Sequence, residues 1–149
     1  MNTQIRPAAT VILMREGTDT FEIFMVKRSM KSSFGSLYVF PGGTLDPEDS
    51  LPEMYQYCDG LSDDQASAKL AVNQNGLAYW VACIRECYEE AGILLTNKSD
   101  TLLQDLKKLD DDRQQLNSKE ITFYEICKEN NLQLRANNIV PCAHWVTPD

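Results

Sequence analysis

Several features that mark common protein classes are scarce or missing in this sequence. No apolar run approaches the roughly 20 residues that a membrane-spanning helix needs, and residues 2–7 lack the apolar core of a signal peptide. Only 14 Lys and Arg stand against 22 Asp and Glu, which gives a net charge of −8. Because nucleic-acid affinity comes chiefly from basic clusters, we expect neither a nucleic acid nor a membrane as a partner. A small anionic substrate can still bind through a metal ion.

Side chains for nucleophilic or zinc chemistry are also sparse. His144 is the only histidine, the five cysteines form no CxxC pair, and neither a GxxxxGK nor a GxGxxG phosphate loop occurs. An odd number of cysteines without that spacing favours reduced thiols in an intracellular, cytoplasmic protein over a disulfide framework or a zinc site. We therefore expect His144 to be structural rather than part of a Cys–His catalytic pair.

What remains is typical of one globular domain over residues 1–149, with 43% hydrophobic and 24% charged residues. Apolar runs at 8–14 and 21–26 flank turn residues and predict a β-hairpin. A short strand at 37–40 leads directly into Gly42 and Gly43. A glycine pair after a strand allows close approach of the backbone to a ligand, so we favour a binding loop there over an ordinary turn.

The strongest pattern lies on a predicted helix that ends before Gly92, where a left-handed residue is expected. Glu86, Glu89 and Glu90 are spaced i, i+3 and i+4, so they crowd one edge of the helix and repel each other. A hard cation such as Mg²⁺ would reverse that repulsion, since it prefers oxygen ligands; a solvated acidic face is the alternative. An apolar stripe at helical spacing leaves the glutamates on a separate face: Leu77, Trp80, Val81, Ile84, Tyr88 and Ala91.

Other segments give a coarser prediction. Ser62 and the acids after it predict a short helix before about residue 72. Helices are predicted at 100–109 and 121–130, joined by the charged residues 110–113, and short strands at 93–96 and 139–146.

These residues resemble the Nudix box, Gly-x5-Glu-x7-Arg-Glu-U-x-Glu-Glu-x-Gly-U with U apolar, found in hydrolases of nucleoside diphosphate derivatives. The second half is present in full from Arg85 to Ile93. The first half begins at Gly43 and places Asp49 where the box has Glu, and an insertion at about 50–76 separates the two halves. One branch of the family with such an insertion is similar to animal coenzyme A diphosphatases. Three further segments resemble that branch: 26–29 (VKRS), 40–43 (FPGG) and 145–148 (WVTP).

The resemblance implies an α/β protein with the Nudix fold, an α/β/α sandwich with a mixed sheet. Since the family continues with more strands and a helix after the WxTP segment, the fold is expected to be incomplete at its C-terminal end. The implied catalytic residues are Glu86, Glu89, Glu90 and Arg85, with Arg85 orienting a carboxylate through a charge-assisted hydrogen bond. The implied cofactor is Mg²⁺ or Mn²⁺.

Further site residues follow from the same resemblance. The metal would be held by Glu86, Glu89 and Glu90 and by the carbonyl of Gly43. Substrate contacts are expected from Arg28, Lys27 and Gly42, with an exposed strand end as the alternative for the two cations. Asp49 is a candidate member of the arginine–carboxylate network.

The implied substrate is a small nucleotide, coenzyme A or acyl-coenzyme A, cut to 3′,5′-ADP and 4′-phosphopantetheine. Two alternatives stay open: a hydrolase of ADP-ribose or dinucleotide polyphosphates, and a non-catalytic Nudix-derived module that binds a nucleotide or a protein. A peroxisomal or mitochondrial location would require a signal outside this chain. The sequence does not predict the oligomeric state.

Overall fold

The computed structural model describes residues 6–27, 37–97, 103–144 and 146. Six strands come first in the described chain: β1 (Ala8–Thr10), β2 (Met14–Glu16), β3 (Phe21–Ile23), β4 (Val26–Lys27), β5 (Tyr38–Val39) and β6 (Gly42–Thr44). A 3-10 helix (Pro47–Ser50) leads into the helices α1 (Pro52–Tyr55), α2 (Asp63–Leu70), α3 (Leu77–Ala91), α4 (Leu103–Asn117) and α5 (Phe123–Glu129). A second 3-10 helix spans Ala136–Asn138.

The strands form antiparallel pairs, β1 with β6, β2 with β3 and β4 with β5. The predicted hairpin is confirmed, with Arg15 opposite Glu22 in the β2–β3 pair. The apolar run 8–14 is divided between two strands because its first part pairs with β6 and its second with β3. The described strands form these three pairs rather than one continuous mixed sheet, and the described parallel pairing is a single bridge between Cys58 and Leu134.

Helix α3 lies at the centre of the core, as its apolar stripe predicts. On one side Val81, Ile84 and Tyr88 pack against residues of α4 and α5. On the other side Ala82, Cys83 and Cys87 pack against Ala9 and Val11 around β1. Full burial of an aliphatic or aromatic side chain contributes about 1.5–3 kcal/mol, so the many buried side chains of α3 fix it firmly in the core.

Helix α3 ends where the sequence predicts. Gly92 adopts the left-handed conformation with φ of 69°, which costs glycine little because it has no Cβ. Its N–H donates to the carbonyl oxygen of Tyr88 at 2.9 Å. No helix in the described part of the chain combines the length and the apolar character required to span a bilayer.

The insertion at 50–76 supports the start of α3. Ser62 caps α2 as predicted, accepting a hydrogen bond from the backbone N–H of Gln65. The Asp63 carboxylate then accepts from the backbone N–H groups of Asn75, at 3.0 Å, and Leu77, at 2.9 Å. Leu77 is the first residue of α3, and a negative charge there is favourable because the N-terminal end of a helix is positive.

We expect Asp63→Ala to lower the free energy of unfolding by about 0.5–2 kcal/mol, the range for loss of an N-terminal cap. The reason is that two backbone N–H groups at the start of α3 lose their acceptor. Urea denaturation measures the change. Asp64→Ala is the control, since Asp64 is exposed in the same turn of α2, and an equal loss in both variants would contradict the capping role.

Three sequence predictions are corrected by the structure. Residues 110–113 do not join two helices but lie within α4, because Asp112 is buried and accepts hydrogen bonds from Lys108 and Asn130. Residues 93–96 form no strand beyond a bridge between Thr96 and Leu134. Residues 139–144 and 146 form no strand either, since none of the described strands pairs with them. The predicted helix at 121–130 is confirmed as α5.

Candidate metal and active site

The three glutamates lie on the last two turns of α3, on the edge away from the buried stripe. The side chains of Glu86 and Glu89 are 14% and 23% exposed, whereas Glu90 is exposed to solvent. Burial is the largest cause of a raised pKa at Glu86, and the charges of Glu89 and Glu90 raise it further while Arg85 lowers it. The predicted crowding of negative charge is therefore present, in a partly desolvated setting.

A buried ion pair forms the base of this cluster. The side chains of Arg85 and Asp49 are 5% and 2% exposed. The guanidinium donates through Nε to Asp49 Oδ1 at 3.0 Å and through Nη2 to Asp49 Oδ2 at 2.9 Å. Asp49 is fixed in turn by the backbone N–H of Asp46, which donates to its Oδ2 at 2.8 Å. Asp49, predicted as a member of the network, thus lies at its centre.

Arg85 uses its remaining nitrogen to bind the glutamates. Its Nη1 donates to Glu86 Oε1 at 2.9 Å and to Glu89 Oε1 at 3.0 Å. Its Nη2 also donates to the carbonyl oxygen of Thr44 at 3.0 Å. Burial alone would lower the pKa of Arg85, but hydrogen bonds and charges of Asp49 and Glu89 raise it. The predicted contact between Arg85 and the carboxylates is therefore present, and the guanidinium stays charged.

Strand β6 brings the two glycines against the glutamates. The N–H of Gly42 donates to Glu90 Oε2 at 3.1 Å. At Gly43 an added Cβ would lie only 2.3 Å from Glu86 Oε1, closer than atoms can pack. The backbone of the glycine pair thus lies close to the carboxylate cluster, and its predicted approach to a ligand stays a prediction. The role of the Gly43 carbonyl as a metal ligand stays a prediction.

The donor chemistry of the cluster fits a hard divalent cation, because Mg²⁺ and Mn²⁺ prefer carboxylate oxygens. Among the described residues, however, no group of three or more His, Cys, Asp or Glu side chains is arranged to hold a metal ion. The hydrogen bonds give a reason: Arg85 engages one oxygen of Glu86 and one of Glu89, and Gly42 engages one oxygen of Glu90. A cation would bind the second oxygens or compete for the engaged ones.

Of the two predicted cationic contacts, Lys27 and Arg28, the structure describes only Lys27. Lys27 is exposed at the end of β4, and none of the hydrogen bonds or ion pairs of the described chain joins it to the glutamates. Arg28 lies outside the described residues, as do Trp145, Thr147 and Pro148 of the WxTP segment. Their predicted roles stay predictions.

Sequence reasoning missed three groups that the fold adds to the network. Asp46 lies 3.7 Å from Arg85 Nη1, and its spacing of three residues from Asp49 was an available signal. The Thr44 carbonyl is a backbone group, so no residue type in the sequence could have predicted its contact with Arg85. Arg113 on α4 donates to the backbone oxygen of Glu89, a contact that depends on how two distant helices pack.

A separate cavity of about 630 Å³ lies outside the carboxylate cluster, since none of the three glutamates lines it. Its walls are mainly apolar and include residues 8–14, Trp80 and residues 138–144. His144 and Cys142 are both exposed and line this cavity.

Comparisons with known proteins agree with the Nudix resemblance. No protein-family model matches the chain. The chain is 24% identical to an acyl-coenzyme A diphosphatase of Xenopus laevis over 176 aligned positions, which cover 97% of this chain and 46% of that protein. The chain thus spans about half the length of this curated relative.

A structural comparison gives the same result. The chain is similar to the crystal structure of a Nudix hydrolase from Alicyclobacillus acidocaldarius, with a TM-score of 0.59 and 25% identity, over 91% of this chain and 59% of the other. Both relatives are hydrolases by name, and the chain spans 46% and 59% of their respective lengths. The chain has the Nudix fold, and its resemblance to the Nudix hydrolases, with a coenzyme A diphosphatase among its relatives, is confirmed.

Proposed function

We propose that this chain is a divalent-metal-dependent pyrophosphohydrolase that cleaves coenzyme A or acyl-coenzyme A to 3′,5′-ADP and 4′-phosphopantetheine. The observation that carries the proposal is the buried Arg85–Asp49 pair, which holds Glu86 and Glu89 side by side at the end of α3. Because Asp49 compensates the charge of Arg85, the three glutamates still carry uncompensated negative charge and repel one another. A bound divalent cation would offset that repulsion.

Within this proposal each residue has a defined task. Glu86, Glu89 and Glu90 would hold Mg²⁺ or Mn²⁺. When bound, such an ion would supply positive charge next to the diphosphate and would make a water more acidic. Arg85 keeps the carboxylates of Glu86 and Glu89 in place without contacting the substrate. Its own charge is compensated by Asp49, so the glutamates remain the net negative group that attracts the cation.

Strand β6, which contains Gly42 and Gly43, would determine how closely a substrate approaches the carboxylates. Because Gly42 and Gly43 lack side chains, β6 lies directly against Glu86 and Glu90. The backbone of β6 can therefore border the space in front of the glutamates where a diphosphate would lie. A side chain at Gly43 would fill that space.

The substrate proposal is supported by the similarity to an acyl-coenzyme A diphosphatase and by the FPGG and WVTP segments. It is tested by measuring hydrolysis of coenzyme A, ADP-ribose and a dinucleotide polyphosphate by this chain, each with Mg²⁺ and with Mn²⁺. The highest kcat/KM is expected for coenzyme A or an acyl-coenzyme A. Faster turnover of ADP-ribose or the dinucleotide would overturn the substrate while leaving the metal-dependent hydrolase in place.

A further inference from the structure

Helix α4 contributes a second arginine to the end of α3. Arg113 donates through Nε and through Nη2 to the backbone oxygen of Glu89, at 3.1 Å and 2.9 Å. Asn117, one turn further along α4, reaches the same oxygen with its Nδ2 at 3.5 Å. The oxygen thus receives hydrogen bonds from two side chains of α4.

This contact lies in the last turn of α3, where backbone carbonyl groups lack partners within the helix. The last four carbonyl groups of an α-helix have no intrahelical partner, and the end of α3 is negative because of the helix dipole. Gly92 N–H bonds to the oxygen of Tyr88, and the next oxygen along the chain, that of Glu89, is bound by Arg113. A guanidinium supplies paired donors and a positive charge. It can therefore donate hydrogen bonds to the unpaired carbonyl oxygen and also offset the negative end of the helix dipole.

Glu89 is consequently held at both ends. Arg113 binds its backbone oxygen from α4, while Arg85 binds its carboxylate. Gly92 completes the arrangement: an added Cβ there would lie 3.4 Å from Arg113 Nη1, so the guanidinium lies against the residue that terminates the helix. The last turn of α3, which carries Glu89 and Glu90, is thereby fixed against α4.

We propose that Arg113 is a positioning residue for the carboxylate cluster. It fixes the backbone from which Glu89 and Glu90 project, and so sets how well these carboxylates bind a divalent cation. This inference rests on the proposed metal site. It assigns to α4, which lies outside the Nudix box, a role in that site.

The test measures Mn²⁺ binding directly, by electron paramagnetic resonance of the free ion and by titration calorimetry, in the parent chain and in Arg113→Gln. We expect the dissociation constant for Mn²⁺ to rise by about 10–100-fold, the range for groups that orient metal ligands. Arg113→Lys keeps the charge but not the paired donors, so an intermediate value is expected. Lys107→Gln is the matched control, because it removes the same charge from an exposed position on α4 and should leave the dissociation constant unchanged.

Turnover provides a second readout that a merely structural role would not produce. Since excess metal compensates for weaker binding, kcat of Arg113→Gln at saturating Mg²⁺ should fall much less than its apparent metal affinity. Cooperative thermal unfolding confirms that the variants are folded, and Arg113→Lys keeps the test valid if Arg113→Gln does not fold.

The outcomes separate the two proposals. A parent chain that binds no Mn²⁺ would overturn the metal site itself. A parent that binds Mn²⁺, with Arg113→Gln or the folded Arg113→Lys binding it equally well, would overturn the positioning role and leave the proposed function intact. Equal weakening in Lys107→Gln and Arg113→Gln would also overturn the positioning role, since net charge would then explain the effect.

Discussion

Arg85→Met should lower the free energy of unfolding by about 3–5 kcal/mol, the cost of removing one partner from a buried ion pair. Asp49 is 2% exposed and accepts two hydrogen bonds from the guanidinium. Without Arg85 its carboxylate would remain buried and uncompensated, and Glu86 and Glu89 would lose the guanidinium that donates a hydrogen bond to each of them. We expect this to be the largest loss of stability from a single charged residue in the described part of the chain.

Urea denaturation of the parent and of Arg85→Met measures this loss. Arg85→Met combined with Asp49→Leu should recover part of it, because no buried charge is then left without a partner. Arg15→Met is the control, since Arg15 and Glu22 form an exposed ion pair of the kind that contributes little. Equal stability of Arg85→Met and the parent would show that the pair does not support the fold.

Gly43→Ala should reduce kcat/KM for the pyrophosphate substrate by about 10–100-fold while leaving the chain folded. The added Cβ would lie 2.3 Å from Glu86 Oε1 and 2.5 Å from its Cδ, so this carboxylate must move. The movement is inexpensive for folding because it concerns the end of a flexible side chain. The expected loss of activity matches the roughly 10–100-fold effect of changing groups that orient metal ligands, because Glu86 is moved rather than removed.

Gly42→Ala is the matched comparison, since it adds the same methyl group one residue earlier. There the Cβ would lie 2.5 Å from the backbone oxygen of Ala9 and 2.7 Å from the Cα of Thr10. The neighbouring strand would have to shift, so thermal unfolding should occur at a lower temperature in Gly42→Ala than in Gly43→Ala. Full activity of Gly43→Ala would contradict the placement of Glu86 in the site.

Features determined by neighbours along the chain could be predicted from the sequence. The apolar stripe predicts the buried face of α3, Gly92 its end, and Ser62 the start of α2, because these depend on helical spacing and on local backbone hydrogen bonds. The contact of Arg85 with a carboxylate of the cluster was implied by the resemblance to the Nudix box, and the spacing of four residues between Arg85 and Glu89 permits it. The Nudix box pattern predicted Asp49 as a member of the arginine–carboxylate network, although an insertion separates it from Arg85 in the sequence.

Features determined by packing between distant segments could not be predicted. The charged residues 110–113 resemble a loop in sequence, yet they lie within α4. Asp112 accepts a hydrogen bond from Asn130, just after α5, and Arg113 donates to a backbone oxygen of α3. The capping of α3 by Asp63 requires the insertion to fold back on the helix that follows it. Hydrophobic periodicity contains no information about such contacts, because each of them joins polar groups that tertiary packing brings together.

The most direct test of the central claim, that the Glu cluster on α3 is a catalytic divalent-cation site, is Mg²⁺-dependent release of 3′,5′-ADP from coenzyme A by the parent chain and by Glu89→Gln. Glutamine keeps an oxygen that can accept from Arg85 but removes the charge, so the change isolates the interaction with the cation. Glu53→Gln, at an exposed position of α1, controls for net charge.

We predict that the parent and Glu53→Gln release 3′,5′-ADP and that this release depends on added Mg²⁺. The rate in Glu89→Gln should be at least about a hundredfold lower. Such a loss exceeds the effect of groups that only orient metal ligands. Equal rates in the parent and Glu89→Gln, or no metal-dependent hydrolysis of any tested substrate by the folded parent chain, would contradict the account.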